Sequence, residues 1–256
     1  MTIVVPSVVN FRDGGGLPSR FGGKLRQDWL YRSGNPSSAT PEDLARLVAL
    51  DFNLIADLRY GAERQAEPHP WPEHLAGRLV QHLGGEAREA PHYAALRDGS
   101  MDEAVGHRLY QEIYREVPFD PEYKPVLDRL IHELAEGEGP MLLHCAAGKD
   151  RTGMFVALIQ HALGVPQDDI FANFMLSNED PGLPALAMKS RAAVEAKFGH
   201  SYSPELMMSL IAVHEDYLKA FIDEIEQRAG SIDAYLAAAG LDTARRDKAL
   251  QRWLEG

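Results

Sequence analysis

The residues with the most chemistry to offer gather in one stretch, "PMLLHCAAGKDRTGMFVAL" from Pro140 to Leu158. There Cys145, the one cysteine of the chain, is separated from Arg151 by Ala146, Ala147, Gly148, Lys149 and Asp150. An apolar run ending in His144 and Cys145, a glycine-bearing loop, and a helix opened by Arg151 and Thr152 would converge backbone amides at a helix N-terminus. Such a ring binds anions. Gly148 lets the loop bend back, the backbone from Ala146 through Lys149 supplies donors, and the guanidinium of Arg151 can add two parallel hydrogen bonds to phosphoryl oxygens. At the floor of that ring Cys145 would be held as a thiolate by the amide dipoles, by Arg151 and by Lys149. It could then attack phosphorus in line to give a cysteinyl-phosphate, with the same donors holding the equatorial oxygens in the transition state. Thr152 can donate to the sulfur as water releases it.

The flanking sequence supplies elements able to position this loop. "FNLIADL" (52–58), "RLVQHL" (78–83) and "MLLH" (141–144) are short β-prone runs between helical patterns, the spacing of α/β units. Thr40 before Pro41 predicts a capped helix with Leu44, Leu47 and Val48 on one face, and Ser100 with Glu103 reads as a capping box. "PEYKPVLDRLIHELAEGEG" predicts the helix that feeds the strand before Cys145. After the loop, "GMFVALIQHALGVP" predicts an apolar helix stopped by Gly164 and Pro166, and an all-helical run follows. Within that run "SPELMMSLIAVHEDYLKAFIDEIEQRAG" reads as one long amphipathic helix capped by Ser203. The Ala- and Met-rich helices between Asp168 and Phe198 could be a mobile cover over the site or ordinary core helices.

Composition limits the alternatives. With 256 residues, 45% of them apolar, the chain can bury one sizeable core, and a single domain over 1–256 is expected. A formal net charge of −12 argues against nucleic-acid binding and against charge-driven attachment to anionic lipid. One cysteine excludes an internal disulfide and a cysteine-based zinc cluster. The other histidines, His69, His74, His82 and His92 among them, lack metal-ligand spacing, so neither metal nor other cofactor is expected. The first residues carry no signal-peptide pattern and no segment reaches membrane-span length. A soluble cytoplasmic protein without stable membrane insertion is expected, with export by a signal-independent route left open and the oligomeric state undetermined.

"HCAAGKDRTG" matches the HCx5R[ST] signature of the cysteine-dependent protein tyrosine phosphatase superfamily. The wider chain resembles its atypical bacterial branch, the triple-specificity phosphatases that include mycobacterial members, through "NFRDGGG", "LYRSG", "IADLRYGAER" and "GSIDAYLAAAGL". The resemblance implies an α/β fold with a central, mostly parallel sheet flanked by helices. It also implies a helical lid after the phosphate-loop helix, placed at 168–200. It implies Cys145 as nucleophile, Arg151 as phosphate ligand, and phosphotyrosine proteins as substrates, with phosphoserine, phosphothreonine or phosphoinositides as alternatives. By family analogy His144 is a hydrogen-bonding brace rather than a base.

The leaving oxygen needs a proton, and several carboxyl groups compete for that role. "WPE" at 71–73 imitates a known acid loop but lies in a Pro-rich turn. Asp120 can equally cap a helix before Pro121, and Asp57 ends a strand beside Arg59. The resemblance favours Asp150, because the atypical branch and the myotubularin lipid phosphatases share an acidic residue beside the loop arginine; its structural alternative is a carboxylate paired at a helix N-terminus. Lys149 could serve a phosphoinositide's extra phosphates or be simply solvated. Arg59 and Arg12 are candidate substrate ligands whose alternative is a structural ion pair. A phosphate-binding pseudoenzyme is disfavoured by the complete set of nucleophile, arginine and threonine. Arsenate reduction would need further cysteines, and sulfur-transfer loops generally lack the terminal "RTG".

Overall fold

A computed structural model describes residues 3–84 and 92–256. Its centre is a five-stranded sheet in the order β1 (Arg12–Asp13), β3 (Leu30–Ser33), β6 (Met141–His144), β4 (Leu54–Asp57), β5 (Leu79–Gln81). The last four run parallel, while β1 pairs antiparallel with β3. Helices α1 (Pro41–Ala49), α2 (Gly61–Ala66), α3 (Glu73–Ala76), α4 (His92–Arg97), α5 (Glu103–Glu116) and α6 (Lys124–Glu136) precede β6; α7 (Asp150–Ala162) follows it. Beyond lie α8 (Gln167–Met175), α9 (Leu183–Phe198), α10 (Pro204–Ile211), α11 (Glu215–Ala229), α12 (Ile232–Ala238) and α13 (Thr243–Trp253).

Both faces of the sheet are covered, so β3, β4 and β6 are buried along their length, apolar except for Arg32, Ser33, Asp57 and His144 toward their carboxyl ends, and divide their side chains by the two-residue period. Tyr31, Ile55 and Leu142 pack into a smaller cluster with Leu47, Phe52, Trp71 and Leu75. Leu30, Leu54, Met141 and Leu143 face a larger one with Ile113 of α5, Leu130 of α6, Leu158 of α7 and Phe221 of α11. Helix α7, buried along nearly its whole length, runs through the middle of that larger core. The register sets Ser33, His144 and Asp57 side by side at the carboxyl ends of β3, β6 and β4. Ligand sites of open α/β sheets lie at that edge.

Several local expectations are corrected. Helix α5 begins at Glu103 under Asp102, whose carboxylate accepts from Val105 N at 2.7 Å, so Ser100 is not its cap. The long helix expected from Ser203 breaks into α10 and α11. Ala212 is extended, and the side-chain amide of Asn178 takes both backbone groups of Val213, at 2.8 and 2.9 Å, replacing helical partners. The run to the end is not all helical either. Two residues, β7 (Leu254–Glu255), pair antiparallel with β2 (Lys24–Leu25) and tie the chain's end to its beginning. Within 168–200, α8 buries Ile170 and Phe174 in the larger core, whereas α9 buries only Leu183, Ala187 and Val194. Helix α9 packs chiefly against α10, which lies outside that range.

Candidate active site

The loop between β6 and α7 is held from outside by its carbonyls. Ala146 O accepts from Asn35 N at 3.0 Å and Ala147 O from Asn10 Nδ2 at 2.9 Å. Gly148 O and Lys149 O accept from Arg32 Nη2 at 2.9 and 3.2 Å. In a planar trans peptide the N–H points opposite to the preceding carbonyl, so these bonds turn the amides of Ala147, Gly148, Lys149 and Asp150 toward the ring. Gly148 makes the turn at φ +70°, and a Cβ there would stand 2.3 Å from Ser33 C, which no side chain survives. Cys145, at the end of the strand, is 2% exposed.

Arg151 is set by a residue outside the loop. The carboxylate of Glu63 on α2 accepts from Nη1 at 2.6 Å and from Nη2 at 2.9 Å, Leu58 O accepts from Nη1 at 3.1 Å, and the guanidinium lies 4.6 Å over the Tyr60 ring. Burial disfavours the charge on both partners, and their mutual attraction outweighs it, holding Glu63 below the usual carboxylate range and Arg151 above its ordinary value. Both Nη1 hydrogens are committed, so the Nε and Nη2 edge is the one available for two parallel bonds to a phosphoryl group.

Asp150 opens α7 with a carboxylate that accepts from Tyr114 Oη at 2.8 Å and pairs with Lys149 Nζ at 3.1 Å. The other two carboxyl candidates are engaged elsewhere. Asp57 is buried and gives both oxygens to Arg59, at 2.9 and 2.8 Å. Asp120 caps the 3-10 turn Pro121–Tyr123 through Glu122 N at 3.0 Å. Thr152 is buried, with Oγ1 unpartnered among the described residues. His144 is buried beside Asp57, and burial pushes it down to about 4, so it is neutral.

Three expected substrate contacts are placed otherwise. Lys149 is not at a solvated rim: it is buried, donating to Leu210 O of α10 at 3.1 Å with its ammonium 4.7 Å over the Tyr110 ring. Arg59 is consumed by Asp57, by Asn35 Oδ1 at 2.9 Å and by Glu67 O at 2.7 Å. Among the described residues it reaches the loop through Asn35, whose backbone N–H donates to Ala146 O. Arg12 turns toward the end of α8 and the turn after it, donating to Asn173 O at 3.1 Å and Ser177 Oγ at 3.0 Å, and burial lowers it to about 10. The structure therefore brings Cys145, Arg151, Asp150, Thr152 and the loop amides together, and sets Arg12 and Arg59 behind the wall.

His82, Asp120 and Glu122 form a grouping that spacing did not reveal, with potential ligand atoms within 4.8 Å of one another. His82 Nδ1 accepts from Gly84 N at 3.0 Å, so its neutral ring carries the proton on Nε2, 3.5 Å from Glu122. That nitrogen presents a hydrogen, not a lone pair, to the carboxylates.

A family model described as the tyrosine phosphatase family matches residues 3–255. The chain belongs to this family. It is 33% identical over 233 residues to a Cupriavidus necator protein provisionally named a tyrosine-protein phosphatase, covering 91% of this chain and 82% of that one. It is 29% identical over 267 residues to the triple specificity protein phosphatase PtpB of Mycobacterium tuberculosis, covering 94% of each. A tyrosine-protein phosphatase of Nostoc commune shares 28% over 152 residues, 59% of this chain and 48% of its own length. The protein is thus a tyrosine phosphatase, an enzyme of the phosphoric monoester hydrolase class.

Sequence reasoning missed several residues that shape this phosphatase's site. Glu63 stands inside the quoted "IADLRYGAER" and Arg32 inside "LYRSG", but neither has a local pattern that sets it apart from a surface charge. Asn10, at φ +59°, and Asn35 were equally silent. Tyr114 fits the helical periodicity of α5 like any core residue, and only its hydroxyl on Asp150 distinguishes it.

Proposed function

We propose that the enzyme hydrolyses phosphotyrosine in proteins through a cysteinyl-phosphate. The observation that carries the reading is the ring itself: a lone thiol at the strand end, loop amides turned inward, and Arg151 presented with one donor edge open. Phosphate enters with its oxygens on the loop amides and on Nε and Nη2 of Arg151. The Cys145 sulfur forms a bond to phosphorus as the bond to the tyrosyl oxygen breaks, and Asp150, which enters this step as the neutral carboxylic acid, gives that oxygen its proton. Water then attacks phosphorus, its proton passes to Asp150, and the sulfur departs with a hydrogen bond from Thr152. Placement within the phosphate loop beside Arg151 supports Asp150 over Asp57, buried against Arg59, and over Asp120, which caps a turn. Helices α9 and α10 serve as the lid over this site.

A phosphotyrosine substrate is preferred to a phosphoinositide because Lys149 is turned into the protein rather than offered to additional phosphates. The triple-specificity name of the mycobacterial relative keeps phosphoserine, phosphothreonine and lipid substrates in the test. That test compares phosphate release from phosphotyrosyl peptides, phosphoseryl peptides and soluble phosphoinositides by wild type and by Cys145→Ser. Fast release from the phosphotyrosyl peptide, abolished in Cys145→Ser, is expected together with a phosphate-sized mass adduct on Cys145 after acid quenching. Equal release by the two proteins would sink the mechanism, and a clear preference for the lipid would overturn the substrate assignment.

A further inference from the structure

Arg32, on β3, is 1% exposed and sits behind the phosphate loop, on the side away from the phosphoryl position. Its Nη2 holds Gly148 O and Lys149 O and reaches Ser177 Oγ at 3.3 Å, while its Nε has no partner among the described residues. No carboxylate among the described residues lies within ion-pair distance of it. The neighbouring side chain that shares Ser177 is another cation, Arg12, and Arg12 feels Asp180 and Glu179. Arg32 is left as a buried positive charge without a dedicated counter-ion.

Burying an unpaired cation is strongly unfavourable, and a neutral donor would bond two carbonyls without that penalty. Burial, and then the neighbouring Arg12, disfavour the charge on Arg32 and hold it well below its ordinary value; the acidic groups near enough to oppose them are Cys145, Tyr114 and Asp150. Tyr114 is a buried phenol that burial and the Asp150 charge keep protonated, and Asp150 is already shared by Tyr114 and Lys149. What remains to balance Arg32 is the anion inside the ring. We propose that Arg32 is a positioning residue of the anion site, fixing the inward amides of Lys149 and Asp150 and taking the bound phosphoryl group and the Cys145 thiolate as its counter-ions across the loop. This inference rests on the phosphate-binding reading of the loop. It gives "LYRSG" a function: the anion site has two guanidiniums, Arg151 in contact with the ligand and Arg32 acting through the backbone.

The test is calorimetric titration of inorganic phosphate into variants with Cys145 intact. Arg32→Lys keeps the charge and should bind within about threefold of wild type, whereas Arg32→Gln, a neutral donor, and Arg32→Met should bind at least about tenfold more weakly. Equal affinities for Arg32→Lys and Arg32→Gln would overturn the proposal. Should the Arg32 variants fail to fold, Ser177 decides. Ser177→Asp supplies Arg32 with a local counter-ion and should weaken phosphate at least about fivefold relative to its neutral isostere Ser177→Asn; equal binding by those two overturns it as well. Wild type that binds no phosphate would sink the phosphate-binding reading of the loop itself. Wild type that binds while both series stay flat sinks only the role of Arg32.

Discussion

Glu63 and Arg151 form a two-bond pair, 2.6 and 2.9 Å long, that fixes which edge of the guanidinium meets the substrate. Glu63→Gln retains the side chain's shape but removes the charge and one acceptor, so Arg151 should lose its aim. We expect kcat/KM for an aryl phosphate to fall by about ten- to a hundredfold, the effect of losing one charge-assisted bidentate contact, together with a loss of thermal stability from leaving the Arg151 charge without its partner. Steady-state kinetics beside Arg151→Lys checks this, since the lysine variant should be the more damaged of the two. Unchanged kcat/KM in Glu63→Gln would mean that the pair is incidental.

The bond from Tyr114 to Asp150 gives a test of the proton donor. Asp150→Asn should reduce turnover of phenyl phosphate by about a hundredfold or more, but that of p-nitrophenyl phosphate, whose leaving group needs no proton, by less than about tenfold. Tyr114→Phe should give a smaller loss with the same leaving-group dependence. Equal losses on both substrates for Asp150→Asn would remove Asp150 from the role.

Gly148 gives a prediction on stability. Ala at φ +70° incurs a left-handed penalty of about 1–2 kcal/mol before its Cβ meets the Ser33 backbone. Gly148→Ala should lower the unfolding free energy by at least about 2 kcal/mol and abolish phosphate binding, as read by denaturant titration and calorimetry. A stable variant with normal phosphate affinity would show that the loop can close differently.

His82 and His144 predict how stability follows pH. Burial lowers both to about 4, against a value near 6.5 in the unfolded chain. Between those values the unfolded chain binds the protons and the native one does not. Their contribution is therefore fully present above about pH 6.5, declines as pH falls, and is gone below about pH 4. The loss is on the order of 3 kcal/mol for His144 and smaller for His82, whose surroundings are more solvent-screened. Urea titrations across pH 7 to 4 should show that slope, and His82→Asn should flatten part of it.

Much of the scaffold was legible because it depends on neighbours in the chain. "MLLH" is β6, Thr40 caps α1 through Asp43 N at 3.2 Å, and Gly164 ends the α7 segment at φ +82°. The break between α10 and α11 was illegible because Asn178, remote in sequence, supplies the competing hydrogen bonds. The cap of α5 was misassigned because Ser100 and Asp102 are both good caps, and packing rather than propensity chooses between them. Lys149 looked like a solvated charge until α10 and Tyr110 were seen to enclose it.

The sequence by itself determined the chemistry of the loop, since a thiol, a turn-forming glycine, an arginine and a threonine at fixed spacing suffice to propose an anion ring around a nucleophile. Tertiary structure decided everything that aims those groups. Glu63 selects the donor edge of Arg151, Tyr114 and Lys149 hold Asp150, and Asn10, Asn35 and Arg32 pull the loop carbonyls outward. Apart from the pairing of Lys149 with its neighbour Asp150, each of these contacts joins residues far apart along the chain. Their partners are selected by the order and register of the parallel strands, which no local pattern encodes.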